Sequence, residues 1–289
     1  MSRPFSYTLV DKLLFYFSYF FYKLILPLEM RNSRLSFWFY EMRYTAAKFV
    51  RYESSEPWHG PNDLLKTRFG TFRVRLHTSD AAHLSPAFER RDQNHLMALI
   101  QTLSQDHKKV LFLDVGGDIG VYSVVVGNRF TRDQVAIHCF EPLEASCKFI
   151  KDNLALNALS DRVVVHQVAL GDSDNDHVVI RLNAKAPGSS SLVDPQCAES
   201  FEMQAVQKQL DHIFINDLIQ PFGAVIMKID VEGMEEAVLK GAQAFLKAGI
   251  PVYAMIEDFI QPEITTYLES TGWSFLAKKT SYNSWWKYG

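Results

Sequence analysis

Short apolar runs alternate with segments of helical periodicity from Thr67 to the end of the chain. The apolar runs are rich in β-branched residues, which is typical of buried strands. The segments between them place apolar residues three and four positions apart, as amphipathic helices do. Strands that alternate with helices predict a layered α/β domain with a mostly parallel sheet. The predicted core strands are Val110–Val115, Val135–Phe140, Arg162–Leu170, Gly223–Val231 and Ile250–Glu257.

Four further stretches predict elements around this core. Thr71–Leu76 predicts an edge strand before it, and His177–Leu182 predicts an added strand. Residues 234–249 have the spacing of one helix. The terminal residues 282–289 are rich in aromatic side chains, which predicts that they close an antiparallel edge.

The first fifty residues differ in character from the rest. Leu13–Leu28 predicts a helix with one apolar side, and seven of the eight residues Phe15–Tyr22 are aromatic. Its uncharged part, Leu13–Tyr22, is ten residues long, whereas a membrane-spanning helix needs ~20. Residues 1–50 contain seven Lys or Arg residues and three acidic residues. Residues 9–50 could therefore lie in a membrane interface; the alternative is docking on the protein's own core or on a second subunit of a homo-oligomer.

Two prolines and a glycine in Glu53–Leu64 predict a linker or exposed loop. The chain is accordingly divided into a helical, aromatic-rich appendage with its linker at residues 1–65 and a catalytic-looking domain at residues 66–289.

Composition narrows the class of protein. Of the 289 residues, 47% are hydrophobic and 22% are charged, as in a globular protein with a real core. The net charge of -3 gives no indication of nucleic acid as a partner. Three cysteines, at positions 139, 147 and 197, are too few for a disulfide framework or a zinc site. A reducing compartment follows, so the expected location is the cytoplasm, with the membrane surface as an addition.

Ligands of parallel α/β sheets bind beyond the carboxyl ends of the strands. This rule selects four segments, which are residues 116–120, 140–142, 169–172 and 228–233. The first is a glycine loop between a strand and a helix, where backbone N–H groups can approach a ligand closely. Glu141 ends the second strand and could accept hydrogen bonds from both ribose hydroxyls. The ligand is therefore expected to contain an adenosine-like group.

A nicotinamide cofactor and S-adenosylmethionine both carry an adenosine group, and the spacing of the glycines distinguishes between them. The dinucleotide fingerprint G-x-G-x-x-G would need glycine at Asp118 or at Ile119, and neither frame fits. An aspartate would also repel a pyrophosphate, whereas S-adenosylmethionine carries a sulfonium and an ammonium. The spacing disfavours a nicotinamide oxidoreductase and favours S-adenosylmethionine.

The sequence resembles the FkbM family of class I S-adenosylmethionine-dependent methyltransferases. D-V-G-G-D-I-G (114–120) resembles the family's first motif, D-x-G-A-N-x-G, and K-I-D-V-E-G-M-E-E-A-V-L-K-G-A (228–242) resembles its K-I-D-x-E-G-x-E-x-x-V-L-x-G-A signature. F-E-P at 140–142 and V-A-L-G-D at 168–172 resemble the blocks between them. The resemblance spans roughly Thr67 to Leu276 and leaves the first ~65 residues outside it.

The resemblance implies a seven-stranded class I methyltransferase sheet with its last strand antiparallel. It also implies S-adenosylmethionine as cofactor and O-methylation of a hydroxyl on a sugar, glycan or related natural product. Glu141 would hold the ribose, with Ala169 and Leu170 beside the adenine. Lys228, Asp230 and Glu232 would face the transferring methyl group. The residues implied at the methionine end of the cofactor are Asp114, Gly116, Gly117, Asp118 and Gly120.

Asp118 departs from the family, which usually has Asn at this position. The change keeps the size of the side chain and adds a charge that only accepts hydrogen bonds. It could pair with the cofactor's ammonium or clash with its carboxylate, so altered cofactor affinity is expected.

For the chemistry, Asp230 is expected to accept or relay the proton of the acceptor hydroxyl. Lys228 and Glu232 would fix the acceptor or tune the acid, and Glu257 is a second choice of base. The alternative is that residues 228–232 form a structural ion-pair cluster. Asp230 and Glu232 could also bind a cation, but no histidine lies at ligand spacing, so no metal is predicted. A non-catalytic cofactor-binding protein or membrane-surface scaffold is the rival functional class.

Overall fold

The computed structural model describes residues 62–67, 69–75, 84, 89–105, 108–183, 200–214, 221–258 and 260–289. The predicted helical appendage, including the stretch at residues 9–50, lies outside this part of the chain. None of the helices in the described ranges combines the length and the apolar character needed to cross a membrane.

The described elements follow one another in the order expected of an α/β domain. In chain order they are β1 (Asn62–Thr67), β2 (Gly70–Arg75), α1 (Arg90–Leu103), β3 (Lys109–Val115), α2 (Val121–Arg129), β4 (Val135–Phe140), α3 (Glu144–Leu156), β5 (Val163–His166), β6 (Ala169–Leu170), β7 (Asn175–Asn183), β8 (Ser200–Lys208), α4 (Leu210–Ile213), β9 (Phe222–Ile229), α5 (Glu235–Lys240), α6 (Gln243–Leu246), β10 (Val252–Glu257), α7 (Ile264–Ser270), β11 (Trp273–Lys278) and β12 (Asn283–Tyr288).

Seven strands form the central sheet, in the order β11-β12-β10-β9-β3-β4-β5. β12 runs antiparallel to both of its neighbours, and the pairs among the strands from β10 to β5 are parallel. The predicted seven-stranded class I methyltransferase sheet with an antiparallel last strand is confirmed.

The position predicted for the C-terminal strand was wrong. β12 lies between β10 and β11 rather than at an edge. Its two central side chains, Trp285 and Trp286, are fully buried and belong to separate core clusters. Because successive residues of a strand point to opposite faces, the two indoles fill the core on both sides of the sheet. A strand that is apolar on both faces gains more from a place inside the sheet than from one at its edge.

Other strands also differ from the sequence-based predictions. β2, predicted as an edge strand, pairs with β1 in a separate hairpin, and β1 begins at Asn62 inside the segment interpreted as a linker. The predicted strand 162–170 divides into β5 in the central sheet and β6 in a three-stranded sheet with β8 and β7. β8 was not predicted, because its mixed polar and apolar residues show no continuous buried run.

The predicted helix over residues 234–249 is two short helices, α5 and α6. The break falls at Gly241, where a Cβ atom would lie 1.9 Å from the carbonyl oxygen of Gly171. This close approach joins the loop after β6 to the end of α5. Helical periodicity alone could not show it, since the contact is between residues far apart in the chain.

The core has one layer on each face of the central sheet. Val110 and Phe112 of β3 belong to one cluster, and Leu111 and Leu113 belong to the other. Both faces of β3 are therefore covered, which explains its unbroken apolar run. In the parallel strands β4, β3, β9 and β10, the carboxyl ends meet along one edge, and the predicted site residues other than Ala169 and Leu170 lie at or just after these ends.

Candidate active site

The glycine loop at residues 116–120 follows β3 and is held between the ends of β4 and β9, the strands on either side of β3. The N–H groups of Gly116 and Gly117 both donate to the carbonyl oxygen of Phe140, at 3.1 and 3.0 Å. Gly116 has φ +80°, and a Cβ atom on it would lie 1.8 Å from the carbonyl oxygen of Asp230. The backbone of the loop therefore passes the end of β9 too closely for any side chain.

The rest of the loop is equally compact. A Cβ atom on Gly117 would lie 2.3 Å from Sγ of Cys139, and Gly120 has φ +82° at the start of α2. The N–H of Gly120 donates to the carbonyl oxygen of Gly117 at 2.7 Å. These glycines make a tight turn into a helix, which is the geometry that admits a ligand close to the backbone.

Glu141 lies beside this loop with little exposure. Its Oε2 accepts a hydrogen bond from the N–H of Asp118 at 3.0 Å, and its Oε1 accepts one from the N–H of Leu143 at 3.0 Å. Burial, with a smaller contribution from the Asp118 carboxylate, raises the pKa of Glu141 to about 7. Both oxygens keep a second lone pair, so the carboxylate can still accept the two hydroxyl hydrogen bonds of a ribose.

The raised pKa of Glu141 predicts a specific pH dependence of stability. An acid whose pKa rises from 4.5 to about 7 on folding contributes stability that is complete below the unfolded value and is lost as the pH rises through the folded value. Between about pH 5 and pH 8, we expect the parent protein to lose on the order of 1–3 kcal/mol more of its free energy of unfolding than Glu141→Gln does. Urea denaturation across this range measures the difference, with exposed Glu144→Gln as the control. Parallel profiles for parent and Glu141→Gln would contradict the prediction.

Asp118 is paired with an arginine that the sequence analysis did not select. Arg75 of β2 donates from Nη2 to Oδ1 of Asp118, and it is only 5% exposed. Asp118 itself has φ +48°, a left-handed conformation that Asp tolerates better than most residues. The charge that the sequence analysis placed near the methionine end of the cofactor is thus bound by a cation of the protein itself.

Asp114 lies beneath the loop, fully buried. Its Oδ2 accepts hydrogen bonds from the N–H and from Oγ of Ser123, at 3.0 and 2.6 Å, so it secures the first turn of α2. Its Oδ1 has no hydrogen-bond partner among the described residues and lies 3.9 Å from Nζ of Lys228. Burial raises the pKa of Asp114, against the opposing effects of Lys228 and Ser123.

Lys228 connects the loop with the end of β9. Its Nζ donates to the carbonyl oxygen of Gly116 at 2.8 Å and lies 3.0 Å from Oδ2 of Asp230. The ring of Tyr122 lies against the same ammonium, with its centroid 5.5 Å away. Burial alone would lower the pKa of Lys228, but the carboxylates of Asp230 and Asp114 outweigh it and raise the pKa. The ammonium therefore stays charged and holds Asp230 beside the loop.

Three carboxylates meet where β9 and β10 end. Asp230, Glu232 and Glu257 each place an oxygen within 4.8 Å of the others. Burial, and then the charges of Asp230 and Glu232, raise the pKa of Glu257 far above its ordinary value. The site therefore favours the protonated form of Glu257, in which it can donate a hydrogen bond to Asp230. Carboxylate oxygens at this spacing could also hold a divalent cation.

Ala169 and Leu170 form β6, beside β8 rather than in the central sheet. Both are buried, and Leu170 belongs to the same core cluster as Phe140, the last residue of β4. Both side chains are therefore largely enclosed in the region that follows β5.

Two further acids with a tyrosine and an asparagine extend the site toward the C-terminal strand. Tyr122 donates from its hydroxyl to Oε2 of Glu89 at 2.6 Å, and Asn283 of β12 donates from Nδ2 to Oε1 of Glu89 at 2.7 Å. Burial, and then the charge of Asp230, raise the pKa of Glu89 to about 7. Asp92 accepts the indole N–H of Trp285 at 2.7 Å. The sequence signal for Glu89 was its place in the segment F-E-R-R-D (88–92), immediately before the first residue of α1.

Comparisons with known proteins place the chain in a family through its sequence. The model of the Methyltransferase FkbM domain matches residues 114–278. No curated protein matches the sequence. Among solved structures, methyltransferase FkbM from Methylobacillus flagellatus KT is 16% identical with a TM-score of 0.40, over 64% of this chain and 44% of its own, so this chain spans less than half of that protein.

Two more solved structures give similar values. A SAM-dependent methyltransferase from Agrobacterium tumefaciens is 8% identical with a TM-score of 0.42, over 82% of this chain and 73% of its own. The N-terminal domain of human METTL16, in complex with SAH, is 12% identical with a TM-score of 0.41, over 69% of each chain.

Proposed function

Because the chain belongs to the FkbM methyltransferase family, whose domain model covers residues 114–278, we propose that it transfers a methyl group from S-adenosylmethionine to a hydroxyl of a sugar, glycan or related natural product. Membership of the family makes it an S-adenosylmethionine-dependent methyltransferase. The observation that supports a hydroxyl acceptor is the ion pair of Lys228 and Asp230 beside the glycine loop. Nζ of Lys228 lies 3.0 Å from Oδ2 of Asp230.

The residues of the loop fit S-adenosylmethionine. The cofactor supplies an electrophilic methyl group on a sulfonium. Gly116, Gly117 and Gly120 let the loop pack closely against the ends of β9 and β4 and against α3, and in the proposal the methionine end lies along this loop. In the proposal Glu141 accepts the ribose hydroxyls, and Ala169 and Leu170 cover the adenine. Asp114 supports this arrangement from below through α2.

Asp230 is the proposed general base. Its side chain is 31% exposed, so it can meet an acceptor from solvent, while Lys228 fixes its orientation from the buried side. A hydroxyl is a poor nucleophile, and a base within hydrogen-bond reach accelerates its reaction by ~10²–10⁴-fold. Glu257 is the proposed donor to Asp230 rather than a second base, because the site raises its pKa so far.

The carboxylate cluster also supports a polyhydroxyl acceptor. Ionised carboxylates are acceptors only, and a sugar offers several neighbouring hydroxyl donors. Asp230 and Glu232 could bind one hydroxyl as the nucleophile and another as an anchor. Closure of the site around them would exclude water and align the reacting atoms, which contributes several kcal/mol to catalysis.

A methyl-transfer assay with radiolabelled S-adenosylmethionine tests this function. The acceptor panel holds neutral glycosides, lipid-carried glycans, amino sugars and an RNA hairpin, and the products are identified by mass and by the stability of the methyl ether to base. We expect methylation of a glycoside hydroxyl. Methylation of the RNA alone would contradict the proposal.

The rival proposal is a non-catalytic cofactor-binding protein or membrane-surface scaffold. It predicts that S-adenosylhomocysteine binds with no methyl transfer to any acceptor. Binding measured by calorimetry, together with the assay above, separates the two classes.

Peripheral membrane contact through residues 9–50 and a cytoplasmic location form a further part of the proposal. The aromatic and basic residues of that segment support it. We expect the full chain to float with vesicles that contain anionic lipid, and a variant with Phe17, Phe20 and Phe21 changed to Ser to float several-fold less. Equal flotation of the two proteins would contradict membrane contact and favour docking within a homo-oligomer or on the domain.

A further inference from the structure

The β1–β2 hairpin lies outside the range matched by the family model, 114–278. Hydrogen bonds nevertheless connect it to the glycine loop. Asn157 of the segment after α3 exchanges hydrogen bonds with the backbone of Thr71, at 3.0 and 2.7 Å. Asn153 accepts from the N–H of Arg73 and donates to the carbonyl oxygen of Ile119, the latter at 2.8 Å. One asparagine side chain thus joins β2 to the loop itself.

Arg75, the last residue of β2, completes this connection through charge. Its guanidinium binds Asp118 through Nη2 and Oγ of Ser146 through Nη1, the latter at 3.3 Å. It also lies over the ring of Phe149, 5.5 Å from the centroid. The side chain of Arg75 is 5% exposed and that of Asp118 is 21% exposed, so the ion pair is largely shielded from solvent. Shielded pairs are screened far less by salt than surface pairs are.

The two acids of the loop region need such a cation. The backbone N–H of Asp118 donates to the Glu141 carboxylate at 3.0 Å, which brings the two acidic residues together. Asp118 contributes to the raised pKa of Glu141, and Arg75 opposes this rise. Loss of the Arg75 charge alone would leave two neighbouring carboxylates at a partly buried site. Loss of the Asp118 charge alone would leave a buried guanidinium without its counter-ion.

We propose that Arg75 is a positioning residue for the cofactor: by neutralising Asp118 it holds the glycine loop in its binding conformation and makes the β1–β2 hairpin part of the S-adenosylmethionine site. The inference rests on the proposed role of this loop in binding the cofactor. It also answers how the chain accommodates an aspartate at position 118. Asparagine at this position would carry no charge. The negative charge of Asp118 is neutralised by Arg75, which lies 43 residues earlier in the chain.

A double-mutant cycle on the full-length protein tests the proposal, with S-adenosylhomocysteine as the probe in isothermal titration calorimetry at pH 7.5. We expect Arg75→Gln to weaken binding by at least tenfold and Asp118→Asn to weaken it by a smaller factor. In the double variant both charges are gone and a neutral amide pair remains, so we expect the Kd to return to within about threefold of the parent. The coupling between the two sites is what a double-mutant cycle isolates.

The control is the exposed ion pair Arg132–Asp161, whose atoms Nη2 and Oδ2 lie 2.6 Å apart. Arg132→Gln, Asp161→Asn and their double variant should leave the Kd unchanged. Thermal midpoints of all variants are recorded beside the affinities, because a merely structural pair would lower the midpoint and leave the Kd of the folded protein as it was.

Kd values for both single variants within twofold of the parent would overturn the proposal. If Arg75→Gln fails to fold, Asp118→Asn is compared with the double variant. A folded double variant that binds S-adenosylhomocysteine more weakly than Asp118→Asn does would overturn the proposal. Failure of the double variant to fold would also overturn it. A parent protein that does not bind S-adenosylhomocysteine would refute the role proposed for the loop, which is a different outcome from parent binding that ignores the charges of residues 75 and 118.

Discussion

Asp230→Asn should lower the rate of methyl transfer by about 10²–10⁴-fold, the usual contribution of a general base. The amide keeps the shape of the side chain, but it is not basic enough to accept a hydroxyl proton. Lys228 keeps its hydrogen bond to Gly116 at 2.8 Å, so the loop should remain in place. We therefore expect the affinity for S-adenosylhomocysteine to stay within about threefold of the parent, since catalysis and binding separate when only a transition-state interaction is lost.

Single-turnover kinetics with a saturating acceptor measure this effect, and circular dichroism confirms the fold. Glu236→Gln is the matched control, because Glu236 is an acid of the same segment that pairs with Lys240 on α5, 2.8 Å away, instead of with Lys228. Activity of Asp230→Asn near the parent level would remove Asp230 as the base. A parallel loss of cofactor affinity would favour the structural ion-pair cluster.

Gly116→Ala should abolish detectable cofactor binding and destabilise the fold by on the order of 3–5 kcal/mol, as severe backbone and packing conflicts do. The new Cβ atom would lie 1.8 Å from the carbonyl oxygen of Asp230, and its neighbour there is backbone that cannot rotate away. The loop or the end of β9 must move, and either movement separates Gly116 from Lys228.

Gly249→Ala is the control variant, matched to Gly116→Ala in the backbone angle φ. Gly249 has φ +82°, close to the φ +80° of Gly116, but a Cβ atom on it meets nothing within 4 Å. Both variants therefore carry a left-handed alanine, which costs roughly 1–2 kcal/mol. Urea denaturation and calorimetry of the pair isolate the effect of the close approach. Equal destabilisation of the two variants would show that only conformation matters at position 116.

The local pattern of the chain was sufficient for the central sheet and for the residues that follow its strands. The apolar run of β3 predicted a strand covered on both faces, since periodicity records burial directly. The glycines at 116 and 117 predicted that a ligand approaches the backbone, whereas the close neighbours that the structure shows are the protein's own, the carbonyl of Asp230 and Sγ of Cys139. Lys228 and Asp230 could be selected because the carboxyl ends of parallel strands meet at one edge of a sheet.

What the pattern could not contain is the pairing of distant segments. Arg75 was one polar residue of a predicted edge strand, and its value at the site depends on Asp118, 43 residues away. Glu89 and Asn283 are 194 residues apart and are joined only because β12 enters the sheet beside β10. Such contacts arise from the packing of complete elements, and no local periodicity records them.

The sequence by itself was therefore sufficient to identify the class of domain, the glycine loop with its acidic residues, and the family. The tertiary structure alone decided which charges meet: Arg75 with Asp118, Lys228 between Asp114 and Asp230, and Glu257 beside Asp230 with its pKa raised. The reason is physical. Burial of apolar side chains leaves a periodic trace along the chain, whereas the pKa and the partner of a buried charge depend on neighbours brought together by folding.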